Sequence, residues 1–236
     1  MQPTRLIKQI LYPGHQPLSS FEKLRLAVSA GFQVLKDPTR QDLVAALGET
    51  TGTLSLQYMR NKMIHDKIGR RLLFEKREIN SNNLNLERLK LLPEGTFGRE
   101  YIRFLEDNQV SPDTRTEVHY VDDPELAYVM LRYRQVHDFL HTLCNMGITV
   151  EEELALKWFE LAQFKLPMNL LSVAIGPVIL GSKERKQLFE SKLISWAIQC
   201  GSNSKFLLNV PFEDLFDRDL VMLRKELGIF LPPQKL

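Results

Sequence analysis

Cysteine is scarce in this chain. Only Cys144 and Cys200 are present, and neither stands in a paired metal-binding spacing, so a disulfide framework is excluded and a reducing compartment is expected. Long apolar runs are missing too. The longest uncharged stretch, 166–182, is broken by Pro167, Gly176 and Pro177 and falls short of the ~20 residues a membrane span needs. It is expected as packed helix core, with a cavity wall or a dip into a membrane surface as the alternative. Charge of one sign is also lacking: the net charge is +2, with no basic patch interleaved with aromatics, so nucleic acid is not an expected partner. Alternating strand patterns are few, the best being 117–121 and 206–210, and neither repeats nor low-complexity tracts occur.

Helical periodicity is what the sequence has in quantity. Ser19 with Glu22 gives a capping-box signature for a helix running to about Lys36, which Asp37 and Pro38 break, and a second periodic stretch runs to Leu47. Further helices are expected at 54–64, 98–108, 183–199 and 213–227, with Gly201 and Gly228 where C-caps belong. With 236 residues and 44% hydrophobic content there is material for one core. The fold class expected is therefore all-α: a single helical domain over 19–236, preceded by an N-terminal segment, 1–18. That segment contains TRLIKQIL, which places Leu6, Ile7, Ile10 and Leu11 on one side, as a docking helix or an ordinary packed terminus would. It is too short and too poor in serine to read as a transit peptide.

Histidine numbers only five, and two fall on one helical turn. From Pro124 onward, Leu126, Met130, Tyr133, His137, Leu140 and Cys144 recur at alternating four- and three-residue steps, which places His137 on a buried helix face. At ~100° per residue, Asp138 and His141 lie within about a third of a turn of it. Gly147 is expected to stop this helix, and Thr149 with Glu152 to open the next through a capping box. His141 and Glu153 are equally far from Gly147 along the chain. In an antiparallel helix hairpin, Glu153 therefore faces the two histidines.

Two imidazoles and two carboxylates, from His137, Asp138, His141 and Glu153, suit zinc first and manganese or iron(II) next. The competing reading makes His137 and His141 core histidines bonded to backbone or acids, with Glu151, Glu152 and Glu153 favouring the positive end of their helix. Burying four ionisable groups without a cation is costly, which favours the ligand reading. Other metal chemistries need residues elsewhere. A phosphohydrolase built on the His-Asp pair would have to recruit His119 or His65, a gluzincin-like peptidase wants Glu where Asp138 stands, and a di-iron bundle needs two Glu-x-x-His pairs, of which there are none. Arginines near the motif are candidates for an anionic group: Arg99, behind the loop 91–98, and Arg132 and Arg134, flanking Tyr133. The alternative for the loop before Arg99 is a plain turn, and for Arg132 and Arg134 a solvated helix face.

The segments ALGETTG (46–52), LPEGTFGREYIRFL (92–105), VSPDTR (110–115), YRQVHDFLHTL (133–143), KWFE (157–160) and GPVILG (176–181) together resemble the fourth member of the mitochondrial coenzyme Q biosynthesis series. The resemblance runs over nearly the whole chain. Its most specific part is a metal motif that maps without gaps onto His137, Asp138, His141 and Glu153. What it implies is an all-helical, zinc-binding protein peripheral to the matrix side of the mitochondrial inner membrane, working among other coenzyme Q biosynthesis enzymes, with self-association open. It further implies a decarboxylase acting on 4-hydroxy-3-methoxy-5-polyprenylbenzoate, or alternatively a noncatalytic organiser of that complex with a structural metal. On the decarboxylase reading Asp138 and Glu153 are the carboxylates expected to change role and carry a proton. The apolar stretches 154–164 and 170–180 are the expected walls for the polyprenyl tail.

Overall fold

The computed structural model describes residues 9–37, 40–182, 185, 188 and 192–233. Among these the regular elements are α1 (Ser20–Lys36), α2 (Gln41–Thr51), α3 (Thr53–Ile64), α4 (Lys67–Glu75), α5 (Leu86–Lys90), α6 (Phe97–Asn108), α7 (Pro124–Cys144), α8 (Val150–Phe164), α9 (Pro167–Ile179), α10 (Leu193–Asn203) and α11 (Leu220–Leu227). Short 3-10 turns lie at Pro112–Thr114, Leu207–Asn209 and Phe212–Asp214. The all-α class is as expected. The docking expectation for the N-terminus falls largely outside the described residues, as does most of 183–191; the helix foreseen over 183–199 is described from Leu193.

The hub is α7, buried along nearly its whole length. Its start is specified locally: the Asp123 carboxylate accepts from the backbone N–H groups of Glu125 and Leu126, and Pro124 sits in the first turn, where its missing N–H costs nothing. It ends at Asn145, at φ 52°, upstream of the foreseen Gly147, because asparagine tolerates the left-handed conformation that closes a helix. On the inner side, Phe139 packs among Phe97, Tyr101, Phe212 and Phe216, with ring centroids 5.2, 4.7, 5.1 and 5.9 Å away. Seating that ring, worth about 2–3 kcal/mol of transfer, orients the helix. At ~100° per residue His137 and His141 both stand about 200° round from Phe139, so they are turned to the opposite side.

Two buried arginines on α7 organise the irregular segments around it. Arg132, fully buried, donates to the carbonyls of Leu208 (3.1 Å) and Val210 (2.6 Å) and pairs with Glu213 (2.8 Å). Arg134 donates to the carbonyls of Thr116 (2.8 Å) and Glu117 (3.1 Å) and pairs with Glu49 (2.6 Å). The other Glu49 oxygen accepts the N–H groups of His119 and Tyr120, at 2.8 and 2.7 Å. These contacts overturn the strands expected at 117–121 and 206–210. Backbone groups that a neighbouring strand would have satisfied are taken by charged side chains instead.

Other boundaries shift for equally local reasons. The helix foreseen over 213–227 begins at Leu220, where Asp219 caps it by accepting from Met222 N–H; upstream, Glu213 is held by Arg132 and Phe216 by the aromatic cluster. Gly228 does cap α11, at φ 72°. Gly201 does not cap α10 but lies inside it, where an added Cβ would stand 2.6 Å from the Phe159 carbonyl, so its role is close helix approach to α8.

Candidate metal centre

After Asn145 the chain turns, and Thr149 forms the foreseen capping box with Glu152 to start α8. Side-chain contacts then follow along the two helices: His141 with Glu153, His137 with Glu153 and Glu160, Tyr133 with Glu160. The two helices meet through these side chains. Elsewhere α8 packs on α9 and α10, and α7 on α3 and α6.

The centre itself is a triangle. His137 Nε2 and His141 Nε2 are 3.2 Å apart, and the Glu153 carboxylate reaches them at 3.5 and 3.3 Å. The donor atoms of the three residues all lie within 4.8 Å of one another. Both Nδ1 atoms are engaged behind the triangle, His137 with Glu160 Oε1 at 2.7 Å and His141 with the Gly147 carbonyl at 3.0 Å. An ionised carboxylate and a carbonyl only accept, so each Nδ1 carries the ring hydrogen and each Nε2 turns a lone pair inward. Two lone pairs and a carboxylate facing one another repel unless a proton or a metal ion sits between them. Burial lowers the pKa of His141, more than the Glu153 hydrogen bond restores it, which disfavours the proton. A donor set of two imidazole nitrogens and one carboxylate suits zinc.

A layer behind the ligands fixes them. Glu160 is fully buried and accepts from His137 Nδ1 with one oxygen and from the Tyr133 hydroxyl and Lys157 Nζ with the other, both at 2.8 Å. Burial alone would raise its pKa; Lys157 and His137 reverse that and bring it to about 2. Phe104 stacks on the His141 ring, centroids 4.8 Å apart. A carboxylate–imidazole pair of this kind sets tautomer and ring orientation.

The sequence-predicted residues separate accordingly. His137, His141 and Glu153 come together; Asp138, the fourth foreseen ligand, is ion-paired with Arg115 and is not in the triangle. Arg132 and Arg134, foreseen as anion binders, are consumed by the backbone contacts described above, and Arg99 pairs with Glu94 (3.4 Å) and Glu106 (3.9 Å) on α6. His65 bonds the Asn61 carbonyl and His119 that of Gly14, so neither joins the centre as a phosphohydrolase would require. Sequence reasoning missed Glu160, Lys157, Tyr101 and Arg115 as site residues. A signal was available: all four sit in segments that carry the family resemblance, KWFE, LPEGTFGREYIRFL and VSPDTR.

The sequence profile of the family described as "Coenzyme Q (ubiquinone) biosynthesis protein Coq4" matches residues 12–233. The chain belongs to the Coq4 family. It is similar to the mitochondrial ubiquinone biosynthesis protein COQ4 of Laccaria bicolor, 48% identical over 98% of this chain and 78% of that one. The mitochondrial COQ4 homologue of Rattus norvegicus is 46% identical, over 97% of this chain and 86% of its own. A crystal structure of a Nostoc punctiforme protein provisionally assigned to ubiquinone biosynthesis covers 87% of this chain and 97% of its own, with a TM-score of 0.69 at 22% identity, a likeness of fold. Membership of the Coq4 family places the chain in ubiquinone biosynthesis.

Proposed function

We propose that the chain is a zinc-dependent lyase that removes the C1 carboxylate of a 4-hydroxy-3-methoxy-5-polyprenylbenzoate. It works with other coenzyme Q biosynthesis enzymes on the matrix face of the mitochondrial inner membrane. The observation that carries this reading is the convergence of His137, His141 and Glu153 with inward lone pairs. The mitochondrial setting is supported by the names of its relatives. Among the described residues no helix is long and apolar enough to cross a membrane, and the uncharged stretch 166–182 supplies α9, on which Leu170 is exposed.

The chemistry balances without an oxidant. A proton adds to ring C1, the bond from C1 to the carboxylate breaks, its electron pair restores the aromatic ring, and carbon dioxide leaves. His137, His141 and Glu153 would hold the divalent ion, which when bound would supply Lewis acidity for a substrate oxygen. The protein's part is to approach the ring from the open side. The Glu153 side chain is 35% exposed whereas that of His141 is 1%, so substrate enters past Glu153. Asp138, which stands outside the triangle, is the carboxylate placed to hold or hand over the proton. The two stretches foreseen as tail walls pack directly on each other: Leu154 fills the space beside Gly176, leaving no room there for a Cβ. The tail therefore runs over the outer side of α9.

Purified protein supplied with carboxyl-labelled substrate is expected to release labelled carbon dioxide by itself, and His141→Ala to lose both metal and turnover. Decarboxylation surviving in a zinc-free His141→Ala variant would overturn the mechanism. Activity seen only when partner enzymes are present would favour the organiser with a structural metal.

A further inference from the structure

Arg115 is an arginine with a half-used edge. It follows the 3-10 turn Pro112–Thr114, and its Nη2 pairs with one oxygen of Asp138, while its Nε is buried without any hydrogen-bond partner. Nε and Nη2 form the side of a guanidinium that grips both oxygens of one carboxylate. Arg40 in the same chain shows the full grip, Nε to Asp42 Oδ1 at 2.9 Å and Nη2 to Oδ2 at 2.7 Å. A second donor lies in the same neighbourhood. The Tyr101 hydroxyl on α6 is buried and unpartnered, and Tyr101 and Arg115 act on each other electrostatically, as do Arg115 and the carboxylates of Glu153 and Glu160. Two buried donors left unsatisfied within electrostatic reach of each other are unusual because buried donors are ordinarily satisfied.

Building on the decarboxylase reading, we infer that Arg115 and Tyr101 form the seat for the carboxylate of the aromatic acid. The incoming carboxylate takes Arg115 Nε and Nη2 and the Tyr101 hydroxyl, and displaces Asp138. Asp138 is thereby released only when substrate is bound. This explains why the residue adjacent to His137 stands outside the metal triangle: it is held by the group the substrate will occupy. Arg115 selects for an anion and its planar fork for a carboxylate, so the neutral ester of the same acid is a poor ligand. The Arg115 side chain is 22% exposed and that of Asp138 11%, so the ion pair is in contact with solvent.

The test uses metal-free full-length protein, so that it reads the seat independently of the metal. The probe is 4-hydroxy-3-methoxy-5-geranylbenzoate in detergent, with its methyl ester as the neutral control, followed by titration calorimetry. Wild type is expected to bind the acid at least roughly 10-fold more tightly than the ester. Arg115→Gln is expected to lose roughly 10- to 100-fold for the acid, the range of a charge-assisted contact, with no change for the ester. Arg115→Lys keeps the charge without the fork and recovers only part. Asp138→Asn removes the competitor and is expected to tighten acid binding several-fold, whereas a purely structural ion pair predicts no gain. Arg99→Gln is expected to behave as wild type. Acid and ester bound alike by the wild type, or full acid affinity in folded Arg115→Gln and Arg115→Lys, would overturn the inference. Loss of zinc binding in wild type would instead count against the metal centre and leave this result standing.

Discussion

Replacing Glu160 by glutamine changes no shape and removes one buried charge. In the wild type one oxygen accepts from His137 Nδ1 at 2.7 Å and the other from Tyr133 and Lys157, both at 2.8 Å. An amide has one accepting end. Turned toward His137 it presents its NH2 to Tyr133 and Lys157; turned the other way it presents a donor to Nδ1 and pushes that ring toward the wrong tautomer, so that Nε2 no longer offers its lone pair. Either orientation strands a donor in a site where Glu160 is fully buried. Loss of such a supporting carboxylate typically weakens a metal by 10- to 100-fold, about 1.4–2.7 kcal/mol. Competition against a chromophoric chelator measures the affinity, and the visible spectrum of the cobalt-substituted protein reports the ligand field. Glu160→Gln protein that is folded and binds zinc as tightly as wild type would refute the reasoning.

Other expectations concern the frame around the centre. Phe139→Ala empties the position among four aromatic rings and is expected to cost about 3–5 kcal/mol in denaturant unfolding, since the ring is fully buried. Arg132→Gln is expected to destabilise the fold by about 3–5 kcal/mol through stranding Glu213 and two carbonyls. In such a variant, if it folds, the affinity for the aromatic acid should not move. Asp122 accepts from Lys23 at 2.5 Å and His15 at 3.1 Å; burial raises its pKa, but these partners bring it below the usual 3.8. A carboxylate depressed in the folded state stabilises above its unfolded pKa and loses that contribution as pH falls through the folded value. Because the side chain is 49% exposed, Asp122→Asn should cost only about 0.5 kcal/mol at neutral pH. That difference should vanish in acid. A gap that is constant with pH would contradict the assignment.

How much of this was legible beforehand depends on which physics fixed each residue. The triangle was legible because His137, His141 and Glu153 are positioned by helix period and by a turn whose cap, Thr149 with Glu152, is written locally. Helices α1, α3 and α6 were legible for the same reason. Asp138 could not be placed, because its partner Arg115 comes from a distant turn and the helical wheel cannot say which neighbour takes a carboxylate first. Arg132 and Arg134 were misread as anion binders because nothing local reveals that carbonyls of 116–117 and 208–210 would fold back onto them. Those same long-range contacts erased the two expected strands. Gly201 was read as a cap by position, whereas its use is the close approach of Phe159.

The account rests on a cation shared by His137, His141 and Glu153. Elemental analysis of protein prepared without added metal, compared with His141→Ala prepared identically, tests it most directly. One equivalent of zinc per chain in the wild type and none in the variant is the predicted result; no metal in either, or zinc retained by His141→Ala, would contradict it.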